Sequence, residues 1–178
     1  MASRSRRSSS GRSARLREKK LAEFQARIRT PFATLGIEAT DSHVTGIRFL
    51  APTVPALMPK RNSVAHLACV QINSYLDNPS YVFDLPLRFS GTRHRLAVWE
   101  AMQKIPAGKT RTYGDIAASL RSSARAVGGA CGANPIPVVI PCHRVIGSGG
   151  AIGGFMGAKG EGFELGIKRW LLEHEGAL

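Results

Sequence analysis

The chain has 178 residues, of which 43% are hydrophobic, so it is long enough for one ordinary domain or for two small domains that share an interface. It contains no apolar run of the roughly 18 residues that a membrane span requires, and no apolar segment like that of a secretory signal follows the N-terminus. The formal net charge of +13 favours a polyanionic partner such as nucleic acid, although a cationic surface alone is weak evidence.

Much of this charge lies at the N-terminus. Residues 1–20 carry eight basic side chains and one acidic side chain, whereas the remaining residues carry seventeen basic and eleven acidic side chains. Because residues 1–20 are also rich in serine and nearly free of large apolar side chains, we predict that they form a disordered basic tail. Three roles stay open for the tail: a solvated cationic arm, an arm that contacts DNA phosphates, or a transit-type targeting peptide.

The cysteines indicate a reduced, intracellular compartment, either the cytoplasm or, in a eukaryote, the nucleus. Cys69, Cys131 and Cys142 are too few for a disulfide framework, and none lies in a Cys-x-x-Cys motif. The five histidines show no metal-ligand spacing with the cysteines, so we expect no metal site.

Residues 21–86 are predicted to form a small α/β domain that supports the rest of the chain. Residues 24–28 and 35–39 alternate as strands do, and residues 44–50 are a third strand candidate. A helix is predicted over residues 63–76, because its apolar side chains fall near helical spacing. These side chains are Val64, Leu67, Ala68, Ile72 and Leu76.

Pro86 marks the predicted boundary to a second domain, residues 87–178. The first helix of this domain is expected to place three apolar side chains on one face: Leu96, Trp99 and Met102. Two short helices follow, one beginning near Tyr113 and one over residues 124–133, and the polar turn 121–123 separates them. Two short helices around a tight turn are the outline of a helix-turn-helix.

The second of these short helices consists almost entirely of small residues, and Arg125 is its one long side chain. Gly128 and Gly129 together cost about 2 kcal/mol of helix stability relative to alanine, so something must approach this backbone closely. Two explanations stay open. Another helix packs tightly against it, or the helix enters a DNA groove that is too narrow for bulky side chains.

Cys142 follows an apolar run, residues 138–140, that is predicted to be a short buried strand. Pro141 removes an amide donor and ends strand pairing, which places Cys142 at a strand end, where its side chain can face a pocket. Neighbours in an extended segment point to opposite sides, so we expect a water to link Cys142 with His143.

Cysteine chemistry needs the thiolate, and only about 3% of an unperturbed thiol is ionised at pH 7. A nearby imidazole is expected to raise that fraction. The alternative is an inert buried Cys142 beside a histidine on the surface.

The last predicted helix brings a carboxylate to this region. Its apolar stripe contains Ile167, Trp170, Leu171 and His174, and Glu175 lies at the edge of the stripe. An unpartnered buried carboxylate is unfavourable, so Glu175 is expected to hold a histidine in one tautomer and make it more basic. The alternative is a carboxylate that stays in water at the helix end.

These motifs resemble those of the O6-alkylguanine-DNA alkyltransferases, also called methylated-DNA–protein-cysteine methyltransferases. The resemblance is dense over residues 89–176 and loose before them. It is carried by Tyr113, residues 125–129, residues 134–135, residues 140–145 and residues 168–175. It implies a ribonuclease-H-like N-terminal α/β domain, followed by a mainly helical, winged helix-turn-helix-like domain that carries the active cysteine.

The resemblance also implies a catalytic role for individual residues. The cysteine matching Cys142 attacks the alkyl carbon, the histidine matching His143 takes the thiol proton through a water, and the glutamate matching Glu175 orients that histidine. The asparagine matching Asn134 supports this network. The tyrosine matching Tyr113 helps to rotate the nucleotide and donates a hydrogen bond to the leaving base.

The partner implied by the resemblance is double-stranded alkylated DNA, contacted in its minor groove by Arg125, Ala126, Gly128, Gly129 and Tyr113. The guanine is expected to flip out of the duplex, because an atom inside the base stack cannot be attacked in line. Arg125 is expected to fill the gap that the flipped guanine leaves. The substrate pocket is assigned to Val145, Phe155 and Met156. Residues 153–166 are longer than in the family, so the range of accepted alkyl groups stays open.

The implied activity is DNA repair by irreversible transfer of an alkyl group, such as methyl, from guanine O6 to Cys142, with thymine O4 as an open second substrate. The product is a thioether with no leaving step, so each molecule reacts once. No cofactor is implied, because the damaged base is the alkyl donor. We expect a monomer that does not engage membranes. Some relatives hold a structural zinc, but no matching ligand set occurs here, and Cys131 is expected to be a packing residue.

Three other functions compete with this one. A non-catalytic alkylated-DNA-binding protein is the main alternative, but such relatives lack the cysteine. A helix-turn-helix transcription factor ordinarily presents several polar side chains that read bases. A cysteine hydrolase built on Cys142, His143 and Glu175 would need an oxyanion site, and the sequence suggests none.

Overall fold

A computed structural model describes residue 21, residues 23–158 and residues 160–178. The predicted basic tail, residues 1–20, lies outside the described residues. The described part is a mixed α/β fold with a small antiparallel sheet, a two-stranded parallel pair and five α-helices. No described helix is long and apolar enough to cross a membrane.

The antiparallel sheet contains β1 (Ala26–Arg29), β2 (Thr34–Ala39) and β3 (Val44–Leu50), in that spatial order. On the central strand, Leu35 and Ile37 are fully buried, and Ile37 pairs with Ile47 of β3. The three predicted strands are therefore confirmed, with the first one beginning two residues later than expected.

Helix α1 (Val64–Asp77) packs on this sheet and confirms the predicted helix. Ser63 caps its N-terminus, because its hydroxyl accepts a hydrogen bond from the His66 N–H at 3.1 Å. The buried face is formed by Ala65, Ala68, Gln71, Ile72 and Tyr75. Leu67 was expected on this face but is 41% exposed, because the buried positions recur from Ala65 rather than from Val64.

Three helices form the next layer: α2 (Arg93–Gln103), α3 (Tyr113–Ser119) and α4 (Ala124–Gly132). A capping box of Thr112 and Asp115 begins α3, and the Ser123 hydroxyl caps α4. Arg121, in the turn between α3 and α4, has a φ of +50°. The two predicted short helices and the turn between them are confirmed.

The tryptophan of α2 fixes the position of α4. The indole N–H of Trp99 donates to the Ala130 carbonyl at 2.8 Å, and Trp99 is only 2% exposed. The ring of Phe89 meets the indole edge-on at a centroid distance of 5.5 Å. On this face of α2, Trp99 and Met102 are buried as predicted, but Leu96 is 39% exposed.

Residues 136–140 form a turn, so the strand predicted over residues 138–140 is wrong. The Ile140 N–H donates to the Ile136 carbonyl at 2.9 Å, and Val138 has a φ of +74°. A β-branched residue with that φ cannot continue a strand. Val138 and Ile140 are buried and Val139 is half-buried, as the composition implies, but a short apolar run of this kind does not by itself identify a strand.

The C-terminal part contains β4 (Arg111–Thr112), β5 (Val145–Ile146) and helix α5 (Phe163–His174). Strands β4 and β5 pair in parallel. The core side chains before and after Pro86 belong to one continuous cluster. The backbone also crosses this boundary, since the Ile47 N–H donates to the Pro135 carbonyl at 3.0 Å. The division into domains at Pro86 stays a prediction.

We predict that Trp99→Phe lowers the free energy of unfolding by about 1–2 kcal/mol, because the hydrogen bond to Ala130 is lost and a small void is left. Urea unfolding followed by circular dichroism measures this change. Trp170→Phe, the same replacement at a half-buried tryptophan of α5, is the matched control and should cost less. A Trp99→Phe protein as stable as wild type would show that the indole does not hold α4 in place.

Candidate active site

The backbone before Cys142 reverses sharply. Pro141 has φ −81° and ψ 66°, and the Cys142 N–H donates to the Ile140 carbonyl at 2.8 Å, as in an inverse γ-turn. Cys142–Arg144 then form one turn of 3-10 helix. The extended geometry expected here is wrong, and the side chains of Cys142 and His143 diverge by about 120° around this turn.

Cys142 lies in the wall of a cavity of about 620 Å³ between α4 and a loop at residues 154–158. Cys142 is only 2% exposed, and its Sγ lies 3.9 Å from the Sδ of Met156. The cavity is also lined by Tyr113, Arg125, Gly128, Gly129 and Phe155. The side chain of Cys142 therefore borders a space large enough for a nucleobase.

Burial raises the pKa of Cys142 to about 11, although the Asn134 amide and the Lys168 ammonium act in the opposite direction. Burial also lowers the pKa of His143 below its usual value. Both groups are therefore neutral at pH 7. The expectation that the imidazole raises the thiolate fraction is wrong for this state, because neither charge is favoured in the buried site.

His143 and Glu175 form the buried pair that the sequence predicted. The Nε2 of His143 lies 2.9 Å from the Oε1 of Glu175, and both side chains are inaccessible to solvent. Burial acts to raise the pKa of Glu175, but hydrogen bonds and charges from His143 and Arg144 outweigh it and bring the pKa down to about 2. An exposed carboxylate at the helix end is thereby excluded.

The charge on Glu175 decides the tautomer of His143. An ionised carboxylate only accepts hydrogen bonds, so the neutral imidazole donates from Nε2 and keeps its lone pair on Nδ1. This Nδ1 is buried and has no hydrogen-bond partner among the described residues. Nδ1 is therefore the atom of His143 that is able to accept a proton.

Further donors to Glu175 were missed by the sequence reasoning. The guanidinium of Arg144 binds both carboxylate oxygens, with Nε and Nη2 at 2.9 and 2.8 Å. The Tyr75 hydroxyl donates to Oε1 at 2.8 Å, and the Gly108 N–H lies 3.4 Å from Oε2. Arg144 could have been suspected from its place next to His143. Tyr75 lies 100 residues from Glu175, and only its polar hydroxyl on the apolar face of α1 gave a signal.

Asn134 holds the turn that precedes Cys142. Its Nδ2 donates to the Ile140 carbonyl at 2.7 Å, and its Oδ1 accepts from the Ile136 N–H at 3.0 Å. Asn134 is 1% exposed. Asn134 therefore supports the site by linking the two ends of the turn that precedes Cys142.

Lys168 is another residue that the sequence reasoning left without a role. Its ammonium is fully buried and donates to the carbonyls of Val145, Ile152 and Gly154 at 2.6, 2.6 and 3.0 Å. Burial lowers the pKa of Lys168 to about 8. A lysine directly after Ile167 in an apolar stripe was the available signal. Its ammonium joins the two ends of the segment that leads from the Cys142 turn to the cavity loop.

The predicted pocket residues separate into two groups. Phe155 and Met156 line the cavity. Val145 does not line it, because β5 places the Val145 side chain in the core with no solvent exposure. Tyr113 lines the cavity, and its hydroxyl donates to the Gly154 carbonyl at 3.0 Å.

The glycines of α4 face the cavity rather than another helix. A Cβ built on Gly129 would meet no heavy atom of the described structure within 4 Å, and one on Gly128 would only touch the Tyr113 ring at 4.0 Å. Tight helix packing therefore does not explain these two glycines. Arg125 and Ala126 are exposed at the start of α4. Cys131 is buried, with its Sγ 3.5 Å from the Sδ of Met102, as expected of a packing residue.

Comparison with known proteins identifies the family. The sequence profile described as "6-O-methylguanine DNA methyltransferase, DNA binding domain" matches residues 93–177. The methylated-DNA–protein-cysteine methyltransferase of Mycobacterium tuberculosis strain H37Rv is 36% identical over 156 residues, which cover 83% of this chain and 89% of that protein. This chain belongs to the methylated-DNA–protein-cysteine methyltransferase family. The resemblance read from the sequence is confirmed.

A second relative matches a smaller share of this chain, and a solved structure is similar in its three-dimensional fold. The inducible methylated-DNA–protein-cysteine methyltransferase of Bacillus subtilis is 44% identical over 108 residues, which cover 60% of this chain and 57% of that protein. The chain thus matches little more than half the length of that relative. A crystal structure of Mycobacterium tuberculosis OGT in complex with DNA superposes with a TM-score of 0.70 at 36% identity, covering 85% of this chain and 91% of that chain.

The Glu175 carboxylate is expected to make folding stability fall at acid pH. Its pKa is about 2 in the folded chain against an ordinary value of 4.5, so its contribution is fully present above about pH 4.5 and is lost as the pH falls towards 2. The difference corresponds to on the order of 3 kcal/mol. Urea unfolding between pH 7 and pH 2.5 should show this loss in wild type.

Glu175→Gln should lower stability by on the order of 3 kcal/mol at pH 7 and flatten the acid limb, because a buried charge pair loses one partner. Glu173→Gln, at an exposed position of the same helix, is the matched control and should follow the wild-type curve. Wild-type stability in Glu175→Gln at pH 7 would contradict the buried network.

Proposed function

We propose that this chain repairs alkylated DNA by moving an alkyl group from guanine O6 to the Sγ of Cys142, once per molecule. The observation that carries the proposal is a thiol in the wall of a base-sized cavity, followed in the chain by a histidine that a buried carboxylate holds in one tautomer. The names of the family and of its relatives support the same reaction.

The reaction moves one proton and one alkyl group. The S–C bond forms as the C–O6 bond breaks, the thiol proton passes to His143, and the departing guanine takes up one proton from water. The net change moves the thiol proton to the guanine, because His143 later returns its proton to water. The Nδ1 of His143 is the base that can receive the thiol proton, and a water is the proposed carrier between Sγ and Nδ1. The imidazolium that forms is stabilised by the carboxylate of Glu175, which already accepts its Nε2 hydrogen.

Because burial opposes the thiolate in the free protein, proton transfer is proposed to accompany attack rather than to precede it. The pocket that holds the base would also hold the donor for the leaving group. Burial raises the pKa of Tyr113, so its hydroxyl stays protonated and can donate to the departing base. To do so, the hydroxyl would exchange its present bond to the Gly154 carbonyl for one to the substrate.

The proposed DNA contact is made by the winged helix-turn-helix-like unit of α3 and α4 in the minor groove of a duplex. Gly129 faces no atom of the described structure, so an outside partner that approaches this backbone accounts for its presence. Arg125, exposed on the first turn of α4, would fill the gap in the stack while the flipped guanine occupies the cavity. The crystal structure of Mycobacterium tuberculosis OGT in complex with DNA supports DNA as the partner.

The N-terminal part, proposed to be ribonuclease-H-like, would act as a support. Its helix α1 supplies the Tyr75 hydroxyl to the Glu175 carboxylate and so helps to fix the base His143. We further propose that the protein acts as a monomer in a reduced compartment, which suits its three free thiols.

The proposal predicts a covalent change at one residue. After incubation with a duplex that contains one O6-methylguanine, the Cys142 peptide should gain about 14 Da, because a methyl group replaces the thiol hydrogen. The peptides of Cys69 and Cys131 are internal controls and should not change. Cys142→Ala should show no gain while it still binds the duplex in an electrophoretic shift. An unmodified wild-type Cys142 peptide would end the proposal.

A second prediction concerns Arg125. Arg125→Ala should slow methyl transfer in duplex DNA by about 10-fold or more but change transfer in a single-stranded oligonucleotide little, because only the duplex must be opened. Rates of Cys142 modification in both substrates measure this difference. Arg169→Ala, at an exposed position of α5, is the control for loss of one positive charge. Equal slowing in both substrates would contradict the gap-filling role.

A further inference from the structure

Residues 155–158 form a tight turn next to the active cysteine. The Phe155 N–H donates to the Ala158 carbonyl at 3.0 Å, and the Ala158 N–H donates to the Phe155 carbonyl at 2.9 Å. The two residues between them, Met156 and Gly157, have φ values of +48° and +89°. Two positive φ values define a type I′ turn, whose first central position favours Asn, Asp or Gly.

Met156 is therefore an unusual residue for its position. A long side chain at positive φ is strained, and such strain persists only where the surroundings hold it. Strained residues cluster at functional sites, so this one calls for a reason in the site itself.

The contact that Met156 makes supplies that reason. Its Sδ lies 3.9 Å from the Sγ of Cys142, and both residues line the same cavity. In a productive complex the reacting carbon lies about 3–3.5 Å from the attacking sulfur. An alkyl group that enters from the cavity therefore competes with the Met156 side chain for the space beside the thiol.

The backbone of the turn is held on two sides. A Cβ on Gly132, the last residue of α4, would come within 3.2 Å of the Gly157 nitrogen, so the turn lies directly against the end of that helix. On the other side, the Phe155 ring packs on Phe49 of β3 at a centroid distance of 5.6 Å. Space beside the thiol must then come from rotation of the Met156 side chain, which is unbranched and flexible.

We propose that Met156 is a specificity-determining residue that limits the size of the alkyl group reaching Cys142, an inference that rests on the proposed alkyl transfer. A methyl group needs only a small displacement of the thioether. A benzyl group needs the whole side chain withdrawn from the thiol. The preferred substrates are therefore guanines with small O6-alkyl groups.

The first test compares two substrates. Second-order rate constants for wild type and Met156→Ala are measured with O6-methylguanine and O6-benzylguanine in the same duplex, by mass spectrometry of the Cys142 peptide. The ratio of the benzyl to the methyl rate should rise about 10-fold in Met156→Ala, because a few methylene equivalents are removed from the pocket. A general loss of stability would slow both substrates and leave the ratio unchanged.

Two further variants separate size from strain. Met156→Leu keeps the bulk and should leave the ratio near the wild-type value. Met156→Asn is short and also suits the positive φ, so its ratio should rise as in Met156→Ala. An unchanged ratio in Met156→Ala, with methyl transfer intact, overturns this inference alone. Absence of methyl transfer in wild type overturns the proposed function instead.

The second test needs no DNA. Iodoacetamide alkylates a thiol by forming an S–C bond as iodide leaves and the thiol proton passes to the buffer. Cys69, a half-buried thiol on α1, is the internal reference within the same protein, and burial raises the pKa of both Cys142 and Cys69 to about 11. Met156→Ala should speed modification of Cys142 about 10-fold while Cys69 reacts as in wild type. Equal Cys142 rates in the two proteins would show that Met156 does not cover the thiol.

Discussion

The site depends on the hydrogen bonds that the buried Glu175 carboxylate accepts. A buried charge is tolerated only with partners, and Glu175 takes hydrogen bonds from His143, Arg144, Tyr75 and the Gly108 N–H. These donors come from the active-site turn, from α1 and from the loop before β4. One carboxylate at the end of α5 therefore fixes parts of the chain that are far apart in sequence. His143, the proposed base, is held in place by contacts from these distant parts of the chain.

The electrostatics of the site suit a protein that reacts once. Burial keeps Cys142 protonated and His143 neutral in the free protein, so the thiol does not wait as an exposed thiolate. A thiolate open to water would react with any small electrophile, and a single-use protein would be lost in that way. Under the proposed function, ionisation is confined to the moment when the alkylated base is in the cavity. A protonated Cys142 thiol is intrinsically less reactive than a thiolate, and positioning of the substrate must offset this loss.

Local sequence patterns were sufficient to predict the helices and the Cys142–His143 motif. They failed where contacts between distant parts of the chain decide the local structure. The cap at Ser63 and the helices of the second half follow from short-range rules. The run 138–140 is as apolar as a buried strand, yet the Asn134 side chain and Pro141 turn it into a tight reversal. Tyr75 and Lys168 could not be assigned, because their partners lie 100 residues away or are backbone carbonyls that have no sequence signature. Both are polar groups on apolar faces, and each has its hydrogen bonds satisfied at the site.

Helix α4 contains small residues for two different physical reasons. Gly132 is small because the backbone of the 155–158 turn lies against it, and a methyl group there would push the turn away from the helix. Gly129 meets nothing within the described structure, so its cost to helix stability has no compensation inside the chain. Gly132 allows the turn to pack against α4, whereas Gly129 is exposed in the cavity wall, where the proposed DNA partner would approach the helix backbone. Because one helix combines both, a DNA backbone seated on α4 and a base inside the cavity would contact the same rigid element. Binding of the DNA backbone on α4 and positioning of the base in the cavity would therefore be coupled without any movement of the fold.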